Sequence, residues 1–109
     1  MIELRETESR VDAISLSELE ALLVKALGAC SREQREAFDA HRVPPYQVKA
    51  WRANVIETLF VVAKFHAGIV YYDDVEEGFE IARLASDGSL HLQSASQDPL
   101  KLVLHRLGF

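Results

Sequence analysis

Cysteine is almost absent from this chain of 109 residues: Cys30 stands alone, so no internal disulfide is available and stability has to come from burial. Long apolar runs are missing too, for nothing approaches the roughly 18 to 20 residues that a membrane-spanning helix requires. Positive charge is scarce. Twelve Lys and Arg face seventeen Asp and Glu, and the net charge of -5 disfavours non-specific attraction to nucleic acid or to an anionic membrane surface. With three prolines and five glycines the chain is neither collagenous nor of low complexity, and it carries no internal repeat. No charged-then-apolar leader is present, so the reading is a cytosolic protein.

Motifs that carry chemistry are lacking as well. There is no glycine-rich phosphate loop, no Gly-x-Ser-x-Gly elbow and no His-Glu-x-x-His element. His41, His66, His91 and His105 are scattered, with no pair at the i, i+4 spacing of a helical metal site. Basic patches interleaved with aromatics, as nucleic-acid binding would want, are absent. Cys30 follows an apolar helical stretch, where a small residue tucked under the next helix is the commoner role than a nucleophile. These absences predict a chain without catalytic residues, cofactor or metal.

What is present is a core of one domain's size. The composition is 49% hydrophobic and 27% charged, that of a single globular domain spanning 1–109. Its parts read as a lead-in over 1–14, a helical part over 15–55, a sheet over 56–93 and a C-terminal helix over 97–107. Ser17 stands three residues before Glu20, the spacing of a capping box. Leu19, Leu22, Leu23, Ala26 and Leu27 then form one helical stripe that Gly28 is expected to stop in a left-handed conformation. Ser31 and Gln34 repeat the box, predicting a short helix to about His41 that buries Ala37 and Phe38. Pro44-Pro45 ends it. The stretch from Tyr46 to Ala53 reads as a short helix that drops Trp51 onto the sheet, with an extended connector as the other reading.

Leu59-Phe60-Val61-Val62-Ala63 is apolar at every position, the mark of a strand covered on both faces. His66-Ala67-Gly68 links it to a return strand, Ile69 to Tyr72. Gly78 opens a third strand whose Phe79 and Ile81 share a face. Asp87-Gly88 signals a hairpin into a fourth strand with Leu90 and Leu92 on one side. Asp98-Pro99 is read as N-cap and first turn of a helix with Leu100, Val103, Leu104 and Leu107 on one stripe. The expected fold is α+β: a four-stranded antiparallel meander, N-terminal helices, and a C-terminal amphipathic helix packed on the sheet. A simple meander leaves the strand from Leu59 to Phe65 at an edge, where its unpaired backbone needs cover from the chain itself or from a second copy, so a homodimer stays open.

Charge marks the candidate site. Residues 53–109 hold eight acids and four bases, against nine and eight before them. Asp73, Asp74, Glu76 and Glu77 cluster in one turn, with Glu80 close by and Tyr71, Tyr72 and Phe79 as flanks. The spacing is not that of a calcium loop, and no His or Cys is interleaved. Solvated carboxylates on a rigid turn beside aromatics suit a basic protein partner, because charge steers encounter and aromatic residues anchor it. The candidate partner-binding residues are Asp73, Asp74, Glu76, Glu77, Tyr72 and Glu80, with the four turn carboxylates expected to face solvent. Two other classes stay open: a hydrolytic or ligand-binding domain with a pocket between Trp51, the sheet and the C-terminal helix, and a dimeric structural or regulatory subunit.

From Glu57-Thr58-Leu59-Phe60-Val61-Val62-Ala63-Lys64 through Val70-Tyr71-Tyr72-Asp73-Asp74-Val75-Glu76-Glu77-Gly78-Phe79, the chain resembles small bacterial immunity-type proteins of polymorphic and contact-dependent toxin systems. The resemblance covers residues 57–107, with the Asp87-Gly88 turn and the Gln97-Asp98 helix entry. It implies a binder without catalysis that neutralises a toxin domain by blocking its active site or its substrate approach.

Overall fold

Ser15, not Ser17, starts the first helix. In the computed structural model, which describes residues 14–92 and 98–109, the Ser15 Oγ accepts from the Glu18 N–H at 3.1 Å and the Glu18 carboxylate accepts from the Ser15 N–H at 2.9 Å. That reciprocal pair caps α1, Leu16–Gly28, and leaves Ser17 outside the box. The lead-in assigned to 1–14 lies outside the described residues except for Ile14. Gly28 is the last helical residue, and Ala29 closes the helix in right-handed geometry, so no left-handed glycine stops it. The second box is as expected, with Ser31 and Gln34 capping α2, Arg32–His41, which buries Ala37 and Phe38.

The stretch after Pro44-Pro45 departs from the helix expected there. Arg42–Arg52 is β1, an eleven-residue strand. Tyr46, Val48 and Ala50 fall at every second position and face an apolar cluster, which is the period of a strand. The prolines sit where the ladder between Arg42 and Tyr46 shifts register, a place where two missing N–H donors cost nothing. A two-residue turn, Ala53-Asn54, returns the chain into β2, Val55–Phe65. β3, Gly68–Asp73, and β4, Gly78–Ala82, follow as an antiparallel meander. Gly68 is needed because a Cβ there would meet the Ala82 carbonyl oxygen at 2.6 Å.

β5, Leu90–Leu92, corrects the meander. Asp87-Gly88 makes a turn, with the Asp87 carboxylate accepting from the Ser89 N–H and Oγ, but the chain does not fold back along β4. It crosses to the opposite edge and pairs with β1 in parallel, Trp51 against His91. The sheet is therefore five-stranded and mixed, in the order β4-β3-β2-β1-β5. β2 lies inside it between β1 and β3, so the edge that invited a second copy is covered by the chain's own β1.

From Leu59 to Ala63 both faces of β2 are covered, as its unbroken apolar run requires. One face packs Val62, Ala63, Val70, Tyr72 and Phe79 against Leu19, Leu23 and Phe38 of the helices, and against α3, Leu100–Arg106. The other gathers Ala50, Leu59, Val61, Ile69, Tyr71 and Leu90 into a second cluster that Leu84 and Leu92 help to close. The expected stripe of α3 is buried at Leu100, Val103 and Leu104. Its N-cap is Pro99 rather than Asp98, and no side chain caps it. Among the described residues no helix is long and apolar enough to cross a membrane.

Candidate functional site

The acidic turn between β3 and β4 is built around a carboxylate that never reaches solvent. Asp73 is 0% exposed. Its Oδ1 accepts from the N–H groups of Val75 at 3.1 Å and Glu76 at 3.2 Å, and its carbonyl accepts from the Glu77 N–H at 2.7 Å. Oδ2 accepts from Arg52 Nη2 at 2.8 Å, and Arg52 Nε reaches Glu57 Oε2 at 2.7 Å. An aspartate that bonds the backbone two and three residues ahead shapes a turn, and a guanidinium makes its burial affordable. The expectation that all four turn carboxylates face solvent therefore fails at Asp73. The Glu57 and Asp73 carboxylates in turn hold Arg52 firmly in its charged form, against the opposing effect of burial.

The other members divide. Asp74 is half-buried, its Oδ2 accepting from the Ile14 N–H at 3.0 Å, which pins the entry of α1 to the turn. Burial pushes its carboxyl up from the usual aspartate value, and Asp73 and Glu57 add to this while the Ile14 bond opposes it. Glu76 is half-buried and Glu77 is exposed, with Glu77 in the left-handed region at φ 61°. A non-glycine residue rarely sits there without support, and the Asp73 carbonyl supplies it. Tyr72 is buried with its ring 5.1 Å from that of Phe79, and burial raises its hydroxyl's pKa. Glu80 does not join them. It stands opposite Tyr71 in the ladder, on the other face of the sheet, and its Oε1 accepts from Arg106 Nη2 at 2.7 Å.

Beside the turn lies an apolar groove of about 310 Å³. Tyr72 and Phe79 line it from the sheet, Leu22 and Ala26 from α1, and Pro99 and Leu100 from the start of α3; Glu77, Asp98, Lys25 and Lys101 also border it. Two of the candidate residues, Tyr72 and Glu77, thus meet at one concave surface. Glu77 brings charge and Tyr72 an aromatic wall.

The pocket expected between Trp51, the sheet and the C-terminal helix has a different shape. Trp51 is 38% exposed on β1 and lines neither described cavity, and neither Asp74 nor Glu76 does. A second, polar cavity of about 360 Å³ sits where the curled sheet brings β4 near β5, lined by Tyr71, Glu80, His91 and Arg106 among others. Its groups are committed to one another: Arg106 pairs with Glu80 and, at 3.3 Å, with Asp98. Burial, with Asp73 and Glu80 nearby, pushes the Tyr71 hydroxyl up to about 12, so the phenol stays protonated at neutral pH. The neighbouring Ser89 hydroxyl donates to Asp87 at 2.7 Å and closes a turn. Cys30 is buried, its thiol facing the Ala26 carbonyl at 3.4 Å and its pKa raised by burial. Among the described residues no three His, Cys, Asp or Glu converge as a metal site.

Sequence reasoning missed Arg52 as the counter-ion of Asp73 and Trp51 as a surface residue. The available signal for the second was the alternation Tyr46, Val48, Ala50, which puts residue 51 on the opposite face. Comparison with protein-family models, with curated proteins and with solved structures returns no match.

Proposed function

We propose that the chain is a protein-binding module with no chemistry of its own, which receives a basic partner at the acidic turn and the groove beside it. The observation that carries this reading is the placement of Glu77. A turn anchored through buried Asp73 and Arg52 holds that carboxylate out in the left-handed conformation, at the border of an apolar groove walled by Tyr72 and Phe79. A rigid charge next to an apolar recess fits a partner side chain that is itself long, apolar along its stem and cationic at its tip. Pre-organisation lowers the ordering cost of such a contact. The contact residues are Glu76, Glu77 and Tyr72, with Asp74 behind them and Asp73 as the support of the turn.

The resemblance of residues 57–107 to immunity-type proteins supplies the partner class, a basic toxin domain neutralised by occlusion. The test is affinity capture of the tagged chain from its host at moderate salt, beside a Glu76→Gln, Glu77→Gln chain of unchanged melting temperature. A stoichiometric basic protein held by the wild type and lost by the variant supports the reading. Equal retention by both chains, or retention of nothing by either, removes it.

A further inference from the structure

The helices do not cover the whole of their side of the sheet. The core on that side takes its strand residues from β2, β3 and β4, and none from β1 or β5. Ala50 and Leu90 belong to the opposite cluster, so Trp51, its ladder partner Ile56 and its other neighbour His91 all point to the helix side. There they stay open: Trp51 is 38% and Ile56 52% exposed, while Val55, opposite Arg52, is 61% exposed at the end of the same strand on the other face. The Arg52 to Asp73 bond ties this hairpin end to the acidic turn, whose Val75 is 59% exposed. The chain's single tryptophan thus stands 38% exposed on a hairpin end that Arg52 ties to its densest group of carboxylates.

Resting on the reading just given, we infer that the partner's contact surface continues from the acidic turn across the Trp51–Ile56 pair, with Trp51 as its apolar anchor and a basic, apolar-bearing protein segment as the occupant. Charge chooses that occupant. A second copy would set Asp74, Glu76 and Glu77 against their own equivalents, and residues 1–13 carry four acids and two bases, again the wrong sign. Asp74, Glu76 and Glu77 lie in the turn that the Arg52 to Asp73 bond ties to this hairpin, whereas Glu57, opposite Ala50, is on the other face. On β1 Lys49 lies two positions along the Trp51 face. Tryptophan is the residue most enriched at the energetic centre of protein contacts, where a ring of polar groups excludes water around it.

The experiment is an amide and indole NMR titration of the full chain with a short peptide alternating arginine and leucine, against a control with glutamate in place of arginine. The expected result is that the Trp51 indole N–H and the amides of Val55 and Ile56 shift together with those of Glu76 and Glu77. Trp51→Ala should weaken binding at least fivefold with an unchanged melting curve, and the control peptide should shift nothing. Shifts confined to the turn and groove would overturn the extension and leave the proposed function standing. Equal shifts with the control peptide would overturn the choice of a basic occupant. Shifts that track protein concentration without peptide would mean that a second copy covers the pair, and no shift anywhere would count against both readings.

Discussion

The two halves of the sheet's helix-side face were made from the same kinds of residue and treated in opposite ways. Over β2, β3 and β4 the helices seal Val62, Val70, Tyr72 and Phe79; over β1 and β5 the same face leaves Trp51, Ile56 and His91 to solvent. The difference lies in what each half is asked to hold. The sealed half joins three helices to the sheet and is where the folding energy is concentrated. The open half is held from behind, by the second cluster around Ala50, Leu59 and Leu90, so its outer side chains are free to do something else. The acidic turn sits at the seam and repeats the contrast within five residues: Asp73 faces inward, Glu77 outward.

The sharpest way to break this comparison is to truncate one residue from each half. Phe38 of α2 is wholly buried against the sealed half, and Phe38→Ala should cost about 3–5 kcal/mol in denaturant unfolding, by the usual scale for large aromatic truncations. Trp51→Ala removes a still larger side chain and should change stability by no more than about 0.5 kcal/mol, as exposed substitutions do. Comparable losses would show that the open half is core after all. A smaller effect sharpens the seam. Burial raises the Asp74 carboxyl above its unfolded value, so in the window just above 3.8 the folded chain holds the proton more tightly and this group's contribution to stability falls as pH rises. Asp74→Asn keeps an acceptor for the Ile14 N–H and removes that penalty. Its stability relative to the wild type should therefore rise between pH 3 and pH 7, read from paired urea titrations.

Local pattern made much of this fold legible. The stripe Leu19, Leu22, Leu23, Ala26, Leu27, the hairpin from Leu59 to Tyr72 and the stripe Leu100, Val103, Leu104 depend on near neighbours, and each stands where its period puts it. What was not legible depends on distance along the chain. β5 joins β1 through a parallel pairing some forty residues away, which no turn signal at Asp87-Gly88 can encode. β1 was obscured by Pro44-Pro45 and by Val48, Trp51 and Val55, whose spacing imitates a helix while Tyr46, Val48 and Ala50 keep a strand's period. The candidate site was visible as a cluster of charge, yet its internal division was not, because Asp73 is buried by virtue of an arginine 21 positions earlier.

That division is the centre of the account, and the melting temperature of two variants measured side by side tests it most directly. Asp73→Ala removes the turn's acceptor and leaves the Arg52 guanidinium with Glu57 as its remaining carboxylate partner, a loss of about 3 kcal/mol, or roughly 10 °C for a domain of this size. The Glu76→Gln, Glu77→Gln chain should melt within about 3 °C of the wild type, since amides of the same shape keep the turn while removing its outward charge. A chain that tolerates Asp73→Ala, or one that loses as much from the Glu76 and Glu77 amides as from Asp73→Ala, would contradict a turn whose inner carboxylate holds the fold and whose outer ones do not.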